Sequence, residues 1–569
     1  MNRTARTGAD ALVQGLGEAG VEHVFGLPGD TGVDLYDALS RDTRSLRHVM
    51  CRDERHAAVM ADVYARCRNQ VGVVEVSSGG GATYCVGGLG EPFAASVPLL
   101  VISSDIHAGS RNTGALTELN LEKLFSSVTK WVRRVDRADD IPSLLAQAVS
   151  TAASGRPAPV ALIIPENVLA EETRATAPAG SVSVPAERLA ADPKAVIAIA
   201  SALMGAQRPA IVVGGGVHTS HAYEELRCLA EAAAVPVATT IQGKGAYSEA
   251  GPWSLGVVGA NGGRPYANEY LERADFVLLV GTRANATDTN SYRCPPRSAS
   301  VAQIDIDAER AGRNYPNSLR VVADAKTALA AVAAEMGQSI NRRTDIRRHL
   351  EELRRTWRSL DVPAVPKGTL HPLAVLETFR AAFGDDPLMI ADCGTATPYL
   401  AAHWETTTAG RRLLMARGHG AMGYAIPGAV GAALAYPGTR VVSLTTDGSL
   451  GMACGEMETI ARLGLPITIV QLTNGSYGWI KMLQHLYHDR RYFGVDIGLV
   501  DAPAIARGFG VPATRVESST ALRGALADSL GRAGPAFVEV MIPDLTALEP
   551  PVASWMAALN GVDVPRPVY

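Results

Sequence analysis

Apolar residues in this chain come in short runs, each stopped by glycine, proline or an acid, with longer amphipathic stretches between them. "VEHVFGLPGD" runs from an apolar strand pattern into a Gly/Pro loop. "LRHVMCRDERHAAVMADVYARC" passes from a strand through a polar turn into a helix. "VGVVEVSSGGGATYCVGG", "PLLVISSD" and "APVALIIPENV" each add a strand, so residues 1–172 read as the alternating strands and helices of a doubly wound parallel sheet. A Pro/Ala/Ser-rich segment, "TRATAPAGSVSVPAERLAADP", has the composition of a linker. A second α/β unit at 190–335 draws its strands from "PAIVVGGGV", "VPVATTI", "DFVLLVGTRA" and "SVAQIDID". The charged "RRTDIRRHLEELRRTWRSL" reads as a solvated connecting helix, and "VPAVPKG" breaks it from a third α/β unit at 368–546. A proline-rich tail at 547–569 carries an isolated Trp-Met pair. The expected fold is therefore α/β, with three doubly wound parallel-sheet domains and no 20–50-residue sequence repeat.

Composition narrows the class. The 569 residues are 47% apolar and 19% charged with a formal net charge of −4, an ordinary globular balance without a basic run for nucleic acid or anionic membrane. Neither an apolar leader core nor a stretch of ~20 apolar residues is present, which predicts a cytoplasmic protein. The seven cysteines contain no CxxC pair, against both a disulfide framework and a zinc site.

The chemistry starts at "LTTDGSLGM", where the run Val441–Leu444 ends in Asp447-Gly448. A second run, "PITIVQLTNGS", ends in Asn474, one strand, one crossover helix and one further strand away. That spacing places a carboxylate and an amide oxygen at one sheet edge. With a backbone carbonyl they offer three oxygens to a magnesium ion that completes its shell with phosphate and water, while the Gly448 turn offers N–H groups to a diphosphate. The plainer alternative is an Asp N-cap for a helix over 449–463 plus an Asn turn.

The stretch "TDGSLGMACGEMETIARLGLPITIVQLTNGSYGWIK" resembles the thiamine-diphosphate motif, Gly-Asp-Gly followed some two dozen residues later by Asn-Asn. Thr446 stands in place of the first Gly and Gly475 in place of the second Asn. "VFGLPGD", "VSSGGGAT", "VPLLVISSD", "SGRPAPVALIIPENV", "GHGAMGYAIPGAVGAALA" and "VADAK" follow in family order, and nearly the whole chain resembles the acetolactate-synthase branch. The resemblance implies an amino-terminal pyrimidine domain, a central domain and a carboxy-terminal pyrophosphate domain.

It also implies a site. Asp447, Asn474 and the Ser476 carbonyl would hold magnesium, with Gly448, Ser449, Tyr477, Gly478 and Trp479 beside the cofactor. Gly394, Thr395 and Ala396 of "DCGTATPY" match the diphosphate loop, which often carries Gln and His in the family. The Gly420 carbonyl would accept the cofactor's 4′-amino proton, and Met422 would wedge the cofactor bent, with core filling as the plainer reading. Glu54 matches the glutamate that protonates the pyrimidine N1′, a task needing a raised pKa; alone it would be a helix-start acid.

Gly29, Thr117 and His419 complete the catalytic candidates. Leu116-Thr117 replaces the Phe-Gln pair of true acetolactate synthases, and Trp479 and Leu483 replace the expected Met and Trp. A double-His signature is missing; His107 and His419 are candidates for proton work against structural roles. Arg156, Gly214, Gly215, Gly216, Thr240 and Arg283 match FAD-contacting positions, although "RANATDTN" keeps only the first Arg of the usual segment.

Because the activating Glu and the metal clamp come from different domains, the family builds its sites between two subunits, which implies a homodimer or homotetramer. The implied activity is a carboligase that decarboxylates pyruvate or a related 2-oxo acid and transfers the remaining unit to a carbonyl acceptor, here a specialised biosynthetic one. The alternatives are a non-oxidative 2-oxo acid decarboxylase and a catalytically idle cofactor-binding paralogue. Retention of Glu54, Asp447 and Asn474 opposes the last.

Overall fold

The computed structural model describes residues 6–42, 46–176, 180–337 and 343–564. Parts of the expected first unit (1–5 and 43–45), of the linker (177–179), of the charged segment (341–342) and of the tail (565–569) lie outside the described residues. Within them, the strands form three six-stranded sheets in which neighbours run parallel.

The first sheet contains β1 (His23–Gly26), β2 (Arg47–Met50), β3 (Gly72–Val76), β4 (Leu99–Asp105), β5 (Val132–Arg134) and β6 (Val160–Pro165), in the order β2-β1-β3-β4-β6-β5. The second contains β7 (Pro209–Val213), β8 (Val237–Thr239), β9 (Ser254–Val257), β10 (Phe276–Val280), β11 (Ser300–Asp305) and β12 (Leu319–Val322), in the order β12-β11-β10-β7-β8-β9. The third contains β13 (Leu388–Ala391), β14 (Leu413–Met415), β15 (Val441–Thr446), β16 (Ile467–Thr473), β17 (Ala513–Val516) and β18 (Ala536–Met541), in the order β14-β13-β15-β16-β18-β17. The first and third sheets thus share one winding, although no sequence repeat announces it. The second has the dinucleotide-fold order, with its reversal between β7 and β10.

The inner strands are apolar at successive positions because helices cover both faces: β4 and β16 are buried at every residue. Edge strands escape that pattern. β5 and β12 are short and partly exposed, and the hydrophobic pattern of the sequence does not mark them. The charged connecting helix, Thr344–Arg358, is mostly exposed as expected, but it also joins units. Its Arg354 donates to the carbonyls of Gly251 and Pro252, and its Trp357 stacks on His403 at 4.6 Å. The tail is not a loose end either: Trp555 is fully buried and lies 4.2 Å from the ring of Trp479.

One apolar core runs from the first sheet into the third, through the helices Glu54–Arg68 and Ala425–Ala435. Glycines set the distances between helices. A Cβ at Gly431 would lie 2.1 Å from the Met60 carbonyl oxygen, and one at Gly88, on the helix Gly80–Ala95, 2.2 Å from that of Arg55. The helix Glu54–Arg68 is therefore held on two sides by backbone-to-backbone packing. Gly431→Ala is expected to cost about 1–3 kcal/mol of stability by overpacking, outweighing the roughly 1 kcal/mol that alanine gives a helix. The midpoint of urea unfolding should fall; an unchanged midpoint would mean that the helices part without strain.

Candidate active site

β15 and β16 pair with Thr446 opposite Leu472, so Asp447 and Asn474 emerge together at the carboxyl edge of the third sheet. The Asp447 carboxylate accepts the N–H groups of Asn474 at 3.0 Å and Gly475 at 2.7 Å on one oxygen, and that of Gly448 at 2.9 Å on the other. Burial raises the Asp447 carboxyl above its ordinary value, and these backbone donors pull it back towards the charged form.

The plain cap reading does not hold. Asp447 is the first residue of the helix Asp447–Ala453, its N-cap is Thr446 without a side-chain bond, and a second helix, Glu456–Arg462, begins after a break, where one helix over 449–463 was expected. The Asn474 Oδ1 accepts the Ser476 N–H at 3.1 Å. The Ser476 hydroxyl donates to Asp544 at 3.2 Å, and Lys481 pairs with that carboxylate at 2.8 Å. The Asp447 Oδ1 accepts only the Gly448 N–H, and a carboxylate, an amide and a main-chain carbonyl form a hard-oxygen set suited to magnesium. Among the described residues no group of three or more His, Cys, Asp and Glu is placed to hold a metal ion.

Above this pair lies a cleft of about 540 Å3. Gly394, Thr395, Gly420, Met422, Gly448, Ser476, Tyr477, Gly478 and Trp479 all line it. Ala396 and Ser449, expected beside the cofactor, are buried behind its wall instead. Ala396 begins the helix Ala396–His403, and the Ser449 hydroxyl accepts from Thr446 at 3.3 Å. His419 is exposed on the rim, its ring filling the space that a Cβ at Gly90 would need. His107 lies elsewhere, capping a short turn through the Gly109 N–H at 3.0 Å.

The amino-terminal candidates collect at the carboxyl edge of the first sheet. Around the turn after β3, a Cβ at Gly29 would meet Ser77 at 2.4 Å, one at Gly79 would meet Thr117 at 2.7 Å, and one at Gly81 would meet the Glu54 carboxylate at 3.0 Å. Thr117 adopts φ +66° and exchanges a hydroxyl hydrogen bond with Ser78 at 2.8 Å, a strained backbone of the kind kept at functional loops. Glu54 is buried at the start of its helix. Burial raises its carboxyl above the ordinary range, and the nearby Asp53 and Glu75 carboxylates push the same way. Gly29, Glu54 and Thr117 are together, but none of them lines the cleft over Asp447.

Three family models match the chain. The one described as "Thiamine pyrophosphate enzyme, N-terminal TPP binding domain" covers residues 6–124, the central-domain model 196–332, and the "C-terminal TPP binding domain" model 392–540. The chain is 30% identical to a probable acetolactate synthase large subunit of Methanococcus aeolicus, over 98% of this chain and 95% of that protein. It is 32% identical to an acetolactate synthase large subunit of Parasynechococcus marenigrum (strain WH8102), over 94% and 87% of the two chains. The chain belongs to the thiamine pyrophosphate enzyme family. Within it, this is an acetolactate synthase-like enzyme.

In this thiamine pyrophosphate enzyme two further acids brace the site, and the sequence pattern did not point to them. Glu91, buried at 1% exposure on the helix Gly80–Ala95, accepts the N–H groups of Gly418 at 2.8 Å, His419 at 2.7 Å and Gly420 at 3.2 Å. The amide of Gln242, from the central unit, donates to it at 3.3 Å, so three units meet at one carboxylate. Glu456 works in the opposite direction. It accepts the Arg52 N–H at 2.9 Å, contacts His56 at 3.1 Å and so holds the turn that leads into Glu54. For Glu91 the one available signal was an acid inside the otherwise small or apolar stretch "GGLGEPFAAS"; Glu456, two residues before Glu458 in "ACGEMETI", gave none.

The residues matched to FAD line a second cleft between the amino-terminal and central units, of about 100 Å3. Gly214 follows β7, Arg283 follows β10, and Arg283 lines both clefts. Arg156 pairs with Asp307 at 2.9 Å.

Glu91→Gln replaces a charge-assisted acceptor of three N–H groups with an amide that can direct a donor at them. Bonds to charged groups contribute about 1.5–3 kcal/mol each, so loosening the Gly418–Gly420 loop is expected to weaken thiamine-diphosphate binding roughly tenfold. A fluorescence titration with magnesium present measures this, and unaltered affinity would show that the loop holds itself.

Proposed function

We propose that this enzyme decarboxylates pyruvate or a related 2-oxo acid and joins the remaining unit to a carbonyl acceptor, with magnesium and thiamine diphosphate held over Asp447 and Asn474. The observation that carries the reading is the pair of half-sites: an oxygen clamp at one sheet edge, and a buried glutamate of raised proton affinity at another. When bound, thiamine diphosphate supplies a carbon nucleophile and an electron sink for the loss of CO2. Asp447, Asn474 and the Ser476 carbonyl would ligate the metal, and Gly394 and Thr395 would face the diphosphate. The Gly420 carbonyl would take a hydrogen bond from the pyrimidine amino group, and Met422 would exclude water beside it. Glu54 would hold a proton against the pyrimidine ring.

Since Glu54 lies outside its own chain's cleft, a second copy would supply the glutamate, which supports a homodimer or a pair of dimers. Thr117 offers only a hydroxyl already engaged with Ser78, so the acceptor differs from that of an enzyme with Gln there. Arg283, Arg417 and His419 on the rim give that acceptor polar partners.

FAD is the proposed occupant of the second cleft, on the strength of its position at the β7/β10 reversal and its six converging residues. A purely structural turn is the second reading, favoured by Gly214 and Gly216, whose added Cβ atoms would lie 2.5 Å from the Gly281 carbonyl and 2.7 Å from the Gly281 Cα. The cleft is also narrower than the ~300–1,000 Å3 usual for organic cofactors. A flavin band in the purified protein decides for FAD; a colourless, fully active preparation decides for the turn.

Three outcomes test the main reading. Asp447→Ala should lose cofactor retention in equilibrium dialysis, because it deletes the clamp's carboxylate; undiminished binding would remove the assignment. Glu54→Gln keeps the side chain's size but cannot pass a proton, so exchange of the cofactor's C2 proton for deuterium should slow ~10²–10⁴-fold while the cofactor stays bound. Mass analysis after incubating pyruvate with a panel of acceptors should show a ligated product; acetaldehyde alone would mean a simple decarboxylase.

A further inference from the structure

Glu75 is an acid in the middle of an apolar strand. β3 reads Gly-Val-Val-Glu-Val, all five residues are buried, and Glu75 is 1% exposed. Leaving an ionised carboxylate there costs several kcal/mol unless it is partnered. Two partners are in place. His48 Nε2, on β2 and 17% exposed, lies 2.8 Å from one oxygen. The Tyr36 hydroxyl, from the helix Val33–Arg41, donates to the other at 2.8 Å and accepts the Gly29 N–H at 3.1 Å. The Tyr36 and His48 rings meet edge to face at 5.8 Å.

This cluster adjoins the amino-terminal half-site. Glu75 and Ser77 alternate onto one face of the β3 segment. Ser77 crowds both Gly29 and the space beside Gly81 that the Glu54 carboxylate also borders. Tyr36 links the Glu75 carboxylate to Gly29 directly. The charged and titratable groups around Glu54 are Asp53 and Arg55 on its own segment, Glu75 on β3, Tyr36 on the preceding helix, and the Cys51 and Cys85 thiols, which burial pushes up. Among these neighbours Glu75 is the fully buried carboxylate, and it has a protonatable partner, His48, that reaches the surface.

We propose that Glu75, held between His48 and Tyr36, is a positioning residue that sets the charge and the loop geometry in which Glu54 keeps its proton. The inference rests on the reading of Glu54 as the acid at the pyrimidine ring. A fixed negative charge nearby disfavours a second one, so Glu75 keeps Glu54 protonated to higher pH. Removing that charge must lower the pH at which Glu54 lets its proton go.

The test is the rate of C2 proton exchange in the holoenzyme across pH, divided by that of E54Q. In E75Q, the pH at which this acceleration falls to half should drop by on the order of one unit. E75D disturbs the geometry but keeps the charge, so its midpoint should stay near the native one even if the rate is lower. An unshifted midpoint in E75Q, or an equal shift in E75D, would overturn the proposal and leave Glu75 a structural tie. Should E75Q fail to fold, E75M removes the same charge with an apolar side chain of similar length and its midpoint should also drop; no movement overturns the proposal too. If E54Q itself exchanges at the native rate, the function assigned to Glu54 fails; a slow E54Q with an unmoved E75Q defeats only this inference.

Discussion

The packing of the helix Glu54–Arg68 against its two glycine-bearing neighbours is the constraint on which the rest depends. At Gly88 and Gly431 the chains approach so closely that a single methyl group has no room. The buried faces therefore cannot slide, because interiors packed to this density resist displacement. A polar tie fixes the register. Arg66 forks onto Asp62 at 2.8 and 3.0 Å, and the Tyr424 hydroxyl, across the interface, donates to the same carboxylate at 2.7 Å. Buried ion pairs add little net stability, and their better-attested use is to specify one arrangement over others. Here the arrangement is the alignment of two sheets that share a core.

That alignment explains why the site's halves point where they do. Glu54 opens the central helix, and the loop carrying Gly420 leads into the helix Ala425–Ala435 that packs on it. Glu91 holds that loop from the amino-terminal unit, and Glu456 holds the Glu54 turn from the carboxy-terminal unit. Each half-site is braced by the other unit of the same chain, yet the two open at different sheet edges. In the proposed dimer, a chain braced in this way would give Asp447 and Asn474 to one site and Glu54 to the other.

Much of this was legible beforehand, for identifiable reasons. Buried parallel strands carry near-continuous apolar runs, so the inner strands of the first two sheets could be read, and in the third the runs of β15 and β16 located Asp447 and Asn474 while β13 and β18 went unnamed. Edge strands such as β5 and β12 lack that pattern. The helix expected over 449–463 breaks near Cys454, and Glu456, just past the break, bonds to the Glu54 turn some four hundred positions away, a contact that local periodicity does not show. Glu75 and Glu91 share that difficulty. A lone acid among apolar residues signals a partner, but local periodicity cannot say which one. The linking roles of Arg354 and Trp555 were hidden in the same way, since both side chains act across units.

The two motif departures fall at backbone positions of the proposed clamp. Gly475 adopts φ +73°, a left-handed conformation open to Gly and, among the other residues, most readily to Asn, while its N–H donates to Asp447. Gly in place of Asn therefore keeps the backbone donor and loses only a side chain that the Asp447 contact does not use. Thr446 has φ −130° and ψ 161°, extended backbone that any residue adopts, and its hydroxyl bonds to Ser449. Neither position supplies an oxygen to the clamp. In the proposed reading Asp447 and Asn474 would, through side-chain oxygens that accept the surrounding N–H groups. Here the two departures leave both side-chain oxygens and the backbone path between them in place, so the proposed clamp would survive both.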